Sequence, residues 1–174
     1  MERNLEMIKL IVFDLDGVLV DARELHYEAL NKALADIDVK YVVNRAEHLS
    51  TYDGLSTSKK LAMLTESKGL PEELHNAIWK LKQKKTVEII DQFNYDNRII
   101  KVLKKLKSEG YTVACATNSI RETAKLQLIR RGFFEHIDFL YSNQDVIKPK
   151  PSAEIYMRCM LRADVDPHET VVIE

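Results

Sequence analysis

Residues 10–21, LIVFDLDGVLVD, set two acids, Asp14 and Asp16, one residue apart at the end of an apolar run. Such a run of β-branched residues reads as a buried strand, and alternation along it sends both carboxylates to the same side. Gly17 then lets the chain turn sharply where the strand ends. Carboxylates converging at the mouth of a sheet favour a hard divalent cation such as Mg²⁺, which keeps several waters and takes few protein ligands together with substrate phosphate. Three further groups stand at the ends of later apolar runs: Thr117 and Asn118 in ACATNS, Lys148 in SNQDVIKPKPS, and Glu174 after TVVI. A hydroxyl and free backbone N–H groups at a helix start favour an anion, and a lysine ammonium favours a phosphate. An anion site beside a cation site implies phosphoryl chemistry. Taken singly, each has a plainer reading: Thr117 and Asn118 as helix caps, Lys148 as a loop lysine, Glu174 as a chain end.

The elements that must position these groups alternate in type. Ile8 to Asp14 predicts the first strand, and YTVACAT (111–117), IDFLY (137–141) and TVVI (170–173) predict three more. Between them, DNRIIKVLKKLKSEGY carries an apolar stripe of Ile99, Ile100, Val102, Leu103 and Leu106, with Asp96 or Asn97 to cap its start and Gly110 to close it. IRETAKLQLIRRGFF and SAEIYMRCMLRAD repeat that pattern. The expected fold class is α/β, a Rossmann-like parallel sheet flanked by helices, formed by residues 1–20 and 94–174. Residues 21–93 lack a comparable strand and hold amphipathic helical stretches instead, so they read as a helical insertion. The lysines of KLKQKK and KVLKKLK are expected on solvated faces, and Trp79 is expected to be a packing residue.

With 174 residues, 45% of them hydrophobic, the chain can bury the core of one ordinary domain with a modest insertion. A net charge of −1 gives no reason to expect nucleic acid or an anionic membrane as partner. The two cysteines, Cys115 and Cys159, lack metal-type spacing, and MERNLEMIK lacks the apolar run of a signal peptide. The expected setting is the cytoplasm.

In order, FDLDGVLVD, ACATNS, KPKPSAEIY and VVIE resemble the successive motifs of the haloacid dehalogenase superfamily. The insertion after the first motif resembles the helical cap of the subfamily that includes phosphoglycolate phosphatase-like enzymes and β-phosphoglucomutases. The resemblance covers nearly the whole chain. It implies that Asp14 is a nucleophile forming an aspartyl-phosphate, and that Asp16 is the general acid and base. It also implies that Asp14, the Asp16 carbonyl and Glu174 ligate Mg²⁺, and that Thr117, Asn118 and Lys148 hold the transferring phosphoryl group. An aspartate at position 16 favours a phosphatase or phosphomutase over the carbon-attacking and phosphonate-cleaving branches. In the cap, YDGLSTSKKL resembles a substrate-facing segment, which makes Gly54, Ser56 and Thr57 candidates. His26 and Lys84 or Lys85 resemble further cap positions.

In the family the fourth motif continues past the glutamate with a metal-binding aspartate, whereas this sequence stops at Glu174. The expectation is a core incomplete at its C-terminus, in a shortened version of a longer protein. Three functional readings follow. The first is a Mg²⁺-dependent phosphatase acting on a small phosphorylated metabolite, such as a sugar phosphate. The second is a phosphomutase using the same residues. The third is a binding module whose site is impaired for want of that aspartate.

Overall fold

The computed structural model describes residues 7–53 and 55–174. Four parallel strands form one sheet in the order β3-β2-β1-β4. They are β1 (Leu10–Phe13), β2 (Thr112–Ala116), β3 (Phe139–Tyr141) and β4 (Thr170–Ile173). β1 lies between β2 and β4, with Val12 in register with Ala114 on one side and Val172 on the other. All four of its residues are buried, so the strand carries a continuous apolar run rather than an alternating one.

The chain divides into two units, residues 1–21 with 93–174, and residues 22–92. The first is the α/β unit. Its helices are α5 (Asn97–Ser108), α6 (Arg121–Arg131) and α7 (Glu154–Ala163). Asp96 caps α5 by accepting the Arg98 and Ile99 N–H groups. Ile100 and Leu103 face inward, while Val102 is 51% exposed, so the buried stripe is narrower than the sequence pattern suggests. Helix α6 ends at Gly132, whose φ of +78° is left-handed; a Cβ there would come within 2.9 Å of Ile100 Cδ1. Beneath the sheet, Leu10, Val12, Ala114, Ala116, Ile155 and Cys159 form one core cluster.

The second unit is helical: α1 (Arg23–Ala35), the single turn α2 (Arg45–Glu47) leading into a π turn at His48–Tyr52, α3 (Thr57–Lys68) and α4 (His75–Ile90). Its core includes Leu30, Leu34, Tyr52, Leu61, Leu64 and Ile78. Two sequence expectations fail in this unit. Lys82, within KLKQKK, is 8% exposed, with its ammonium 3.5 Å from His26 Nδ1, so that face is not wholly solvated. Trp79 is 39% exposed and lines a shallow 240 Å³ cavity with Ser58, Leu61, His75 and Asn76. Helix α4 has too few buried positions per turn to draw either residue's environment from periodicity alone; the neighbouring helices decide it.

Among the described residues, no helix is long and apolar enough to cross a membrane.

Candidate active site

The C-terminal edge of the sheet gathers the chemistry, as open α/β sheets do. Asp14 follows β1, and its N–H donates to Ile173 O, so the ladder with β4 continues into the first acid. The chain then turns: the Gly17 N–H donates to Val20 O, the Val20 N–H donates to Leu15 O, and Gly17 takes a φ of +93° that side-chain-bearing residues rarely adopt. This tight turn carries Asp16 on the same edge as Asp14.

Lys150 is the cation of the site. Its ammonium lies 3.0 Å from Asp14 Oδ1 and 2.8 Å from Glu174 Oε1, with its side chain only 11% exposed. Its Nζ also stands 5.1 Å from the centroid of the Tyr156 ring, and the Tyr156 hydroxyl donates to the same Glu174 oxygen. Burial opposes the charge on Lys150, but hydrogen bonds to Glu174, Tyr156 and Asp14 outweigh it and hold the ammonium protonated well above its ordinary range. The pKa of Asp14 is also raised: burial lifts it above the usual carboxylate value, against the lowering effect of Lys150. Hydrogen bonds from Lys150 and Tyr156 lower the pKa of Glu174, while burial and Glu174 raise that of Tyr156 to about 12.

Lys148 does not reach this cluster. It is exposed, and its backbone N–H donates to Glu154 Oε2 while the Ile147 N–H donates to Oε1. The sequence offers KPKP, two lysines each followed by proline, and the chain uses the second. Glu154 at the start of α7 pins the peptides of Ile147 and Lys148, and this grip sends the lysine two residues later inward.

Beyond β2, Thr117 is fully buried, and its Oγ1 accepts the Ser119 N–H. The Ser119 hydroxyl donates to Asp16 Oδ2 at 2.6 Å, a charge-assisted contact that fixes the second acid. Asn118 turns its amide away from the two acids: Oδ1 accepts the Lys150 N–H and Nδ2 donates to the Lys150 carbonyl. It therefore positions the lysine's backbone. Ser119, Lys150 and Tyr156 are the members that sequence reasoning did not assign. Ser119 had a signal in its place directly after Thr117 and Asn118, whereas Tyr156 had none.

Among the described residues, no three His, Cys, Asp or Glu side chains cluster closely enough to hold a metal, so Asp14, Asp16 and Glu174 do not form a complete ligand cage. Asp14 and Glu174 nevertheless share one cation, the Lys150 ammonium, so their hard oxygens form a cation-binding niche. Mg²⁺ takes one or two carboxylates, with water and substrate phosphate completing its shell, and this donor set suits it. Cys115 and Cys159 are free and buried, and burial raises both thiols, that of Cys159 to about 12, so neither is a ready nucleophile.

In the helical unit, the Ser56 hydroxyl caps α3 by accepting the Lys59 N–H, and Thr57 opens that helix. Gly54 lies outside the described residues. Lys85 pairs with Asp36 at 3.1 Å.

Residues 11–174 match the family described as "Haloacid dehalogenase-like hydrolase". The chain belongs to this family. Among its curated relatives, Protein CbbY of Cereibacter sphaeroides is 28% identical over 177 residues, a span covering 97% of this chain and 76% of that protein. The "Phosphorylated carbohydrates phosphatase" of Thermotoga maritima is 24% identical over 164 residues, covering 94% of this chain and 74% of the other. The fold is likewise that of solved haloacid dehalogenase-like structures. A crystal structure of a CbbY mutant from Rhodobacter sphaeroides with xylulose-(1,5)bisphosphate superposes with a TM-score of 0.81, at 22% identity, covering 95% of this chain and 77% of that one.

Proposed function

We propose that this haloacid dehalogenase-like hydrolase is a Mg²⁺-dependent phosphatase of small phosphomonoesters, sugar phosphates being the leading class, with residues 22–92 acting as its cap. The observation that carries this reading is the contact of Lys150 with Asp14. A carboxylate held at a strand end by a buried ammonium, with a second, serine-anchored acid two residues on, is arranged for phosphoryl transfer.

In this reading an oxygen of Asp14 attacks phosphorus, and the bond from phosphorus to the ester oxygen breaks. Asp16, held by Ser119, gives its proton to the departing alkoxide, so alcohol leaves and an aspartyl-phosphate remains. Asp16, now a carboxylate, takes a proton from water as that water attacks the same phosphorus. Inorganic phosphate departs and both acids return to their starting states. Lys150 balances the charge on Asp14 and on the phosphoryl oxygens throughout. Thr117 shapes the turn that brings Ser119 to Asp16, and Asn118 keeps the Lys150 peptide in register. Asp14, the Asp16 carbonyl and Glu174 would hold Mg²⁺, which when bound supplies charge neutralisation and orientation of the phosphoryl oxygens.

The T. maritima relative, named for phosphorylated carbohydrates, supports the substrate class. The test is phosphate release from a panel of sugar phosphates and other small phosphomonoesters, with and without Mg²⁺, by the chain and its Asp14→Asn variant. Release that requires Mg²⁺ and vanishes in Asp14→Asn is expected. No release from any ester would overturn the reading, and turnover that appears only with a sugar bisphosphate activator would reassign the protein as a mutase.

A further inference from the structure

The segments that leave β2 and β3 stay joined after the strands end. The ladder runs on by one residue, where the Thr117 N–H donates to Tyr141 O at 3.0 Å. Further out, the Asn143 N–H donates to Ser119 O at 3.4 Å, and the Arg121 N–H donates to Gln144 Oε1 at 2.9 Å. The Arg121 guanidinium also pairs with the Asp145 carboxylate. Residues 142–145 thus grip the start of α6 and the turn before it, the same turn from which the Ser119 hydroxyl reaches Asp16 at 2.6 Å.

Asp145 is the group that ties this grip together. Its Oδ1 takes the Arg121 guanidinium, and its Oδ2 accepts both the N–H and the hydroxyl of the fully buried Ser142, each at 2.7 Å. The Ser142 hydroxyl accepts the Gln144 N–H in turn, which closes the 3-10 turn at Asn143–Asp145. Burial opposes a charge on Asp145, but hydrogen bonds from Arg121 and Ser142 outweigh it and hold the carboxyl below its ordinary range. A helix cap accounts for the Ser142 contacts; it does not account for the pairing across to Arg121. What that pairing fixes is the Ser119 peptide, whose N–H donates to Thr117 Oγ1 and whose carbonyl accepts from Asn143. With both ends of the peptide held, the distance from Ser119 Oγ to Asp16 is set by the backbone. Proton transfer is sensitive to such placement, since a shift of about 1 Å in a reacting group can cost roughly a hundredfold in rate.

We propose that Asp145 is a positioning residue for the proton-transfer step: through Arg121 and the turn it closes, it holds the Ser119 peptide where the serine hydroxyl fixes Asp16. The role rests on the phosphatase reading above, in which Asp16 carries the proton to the leaving oxygen.

The test compares two leaving groups. A sugar alkoxide needs a proton as it departs, whereas p-nitrophenolate leaves without one, so a displaced acid harms the first reaction and spares the second. In Asp145→Ala and in Arg121→Ala, kcat/KM is expected to fall about three- to tenfold for a sugar phosphate and less than about twofold for p-nitrophenyl phosphate. Arg121→Ala leaves the contacts between Ser142 and Asp145 in place, so the answer does not depend on whether Asp145→Ala folds. In the Ser119→Ala background, adding Asp145→Ala should cost less than about twofold more, because both changes act on one contact. A second readout is amide hydrogen exchange: the Ser119 N–H should exchange at least about fivefold faster in either single variant, with the Val12 N–H in β1 unchanged. Equal losses for the two esters, losses that multiply in the double variant, or kinetics like those of the unmutated chain overturn the proposal. If the unmutated chain hydrolyses neither ester, the phosphatase reading fails on its own, and exchange alone decides whether Asp145 holds Ser119: faster exchange supports that and an unchanged rate overturns it.

Discussion

Replacing Lys150 with Met removes the one ammonium among the described residues that touches Asp14 and Glu174, while nearly preserving the side chain's volume. At 3.0 Å and an effective dielectric of 20, the Coulomb attraction between Lys150 and Asp14 is about 5–6 kcal/mol before desolvation is counted. The Glu174 contact is as short, but that carboxylate is 55% exposed and solvent screens it, so it adds little. Breaking a buried pair by removing one partner costs about 3–5 kcal/mol, and the partial exposure of Asp14, 21%, places this pair at the lower end. If the same attraction acts on the transferring phosphoryl group, about 3 kcal/mol corresponds to roughly a hundredfold loss in rate. The assay is initial phosphate release against substrate concentration at fixed Mg²⁺, giving kcat and kcat/KM for Lys150→Met and Lys148→Met side by side. Lys148 is exposed, and removing it should change either constant by less than about threefold. Thermal unfolding of both variants separates lost chemistry from lost folding. Equal damage from the two substitutions, or a Lys150→Met enzyme within threefold of the unmutated one, would refute the assignment of the second lysine.

Ser119→Ala removes the 2.6 Å hydrogen bond to Asp16 and should lower kcat by about tenfold with a smaller effect on KM, the cost of one charge-assisted hydrogen bond. Asn118→Ala frees the Lys150 peptide and should fall between Ser119→Ala and Lys150→Met in kcat, measured in the same assay. Gly17→Ala forces a side chain into a φ of +93°; with nothing near the new Cβ, the loss of about 1–2 kcal/mol seen by urea denaturation is backbone strain alone. The backbone N–H groups of Ile147 and Lys148 depress the pKa of Glu154 below its ordinary 4.5. Its contribution to stability is therefore complete above about pH 4.5 and lost as the pH falls through the depressed value. Melting curves from pH 6 to pH 3 should show a steeper acid loss for the unmutated chain than for Glu154→Gln.

The strands were legible because each is a short, mainly apolar run, although only β1 and β2 are buried along most of their length and β4 is largely exposed, and the acids of the first turn were legible because strand geometry fixes which way alternate residues point. The choice between Lys148 and Lys150 was not. Both precede a proline, and what separates them is the Glu154 carboxylate and the Asn118 amide, neither of which local pattern connects to either lysine. The family resemblance implies Asn118 as a phosphate ligand; local pattern gives no sign that its side-chain amide bonds a peptide 32 residues away. Lys82 and Lys60 stand in lysine-rich helical stretches where solvation is the ordinary outcome, and only the packing of neighbouring helices buries them.

The loop from Ile147 to Lys150 is gripped through its peptide groups: Glu154 takes two N–H groups, and Asn118 takes one N–H and one carbonyl. Peptide groups are common to every residue type, so the grip does not depend on the exposed side chains of Ile147, Lys148 and Pro149. Random mutation of those three positions should leave Lys150 in place against Asp14, with proline excluded at 147 and 148, where an N–H is required. The loop is thus a surface on which the sequence can drift, and where new recognition features can be tried, without moving the ammonium that faces Asp14.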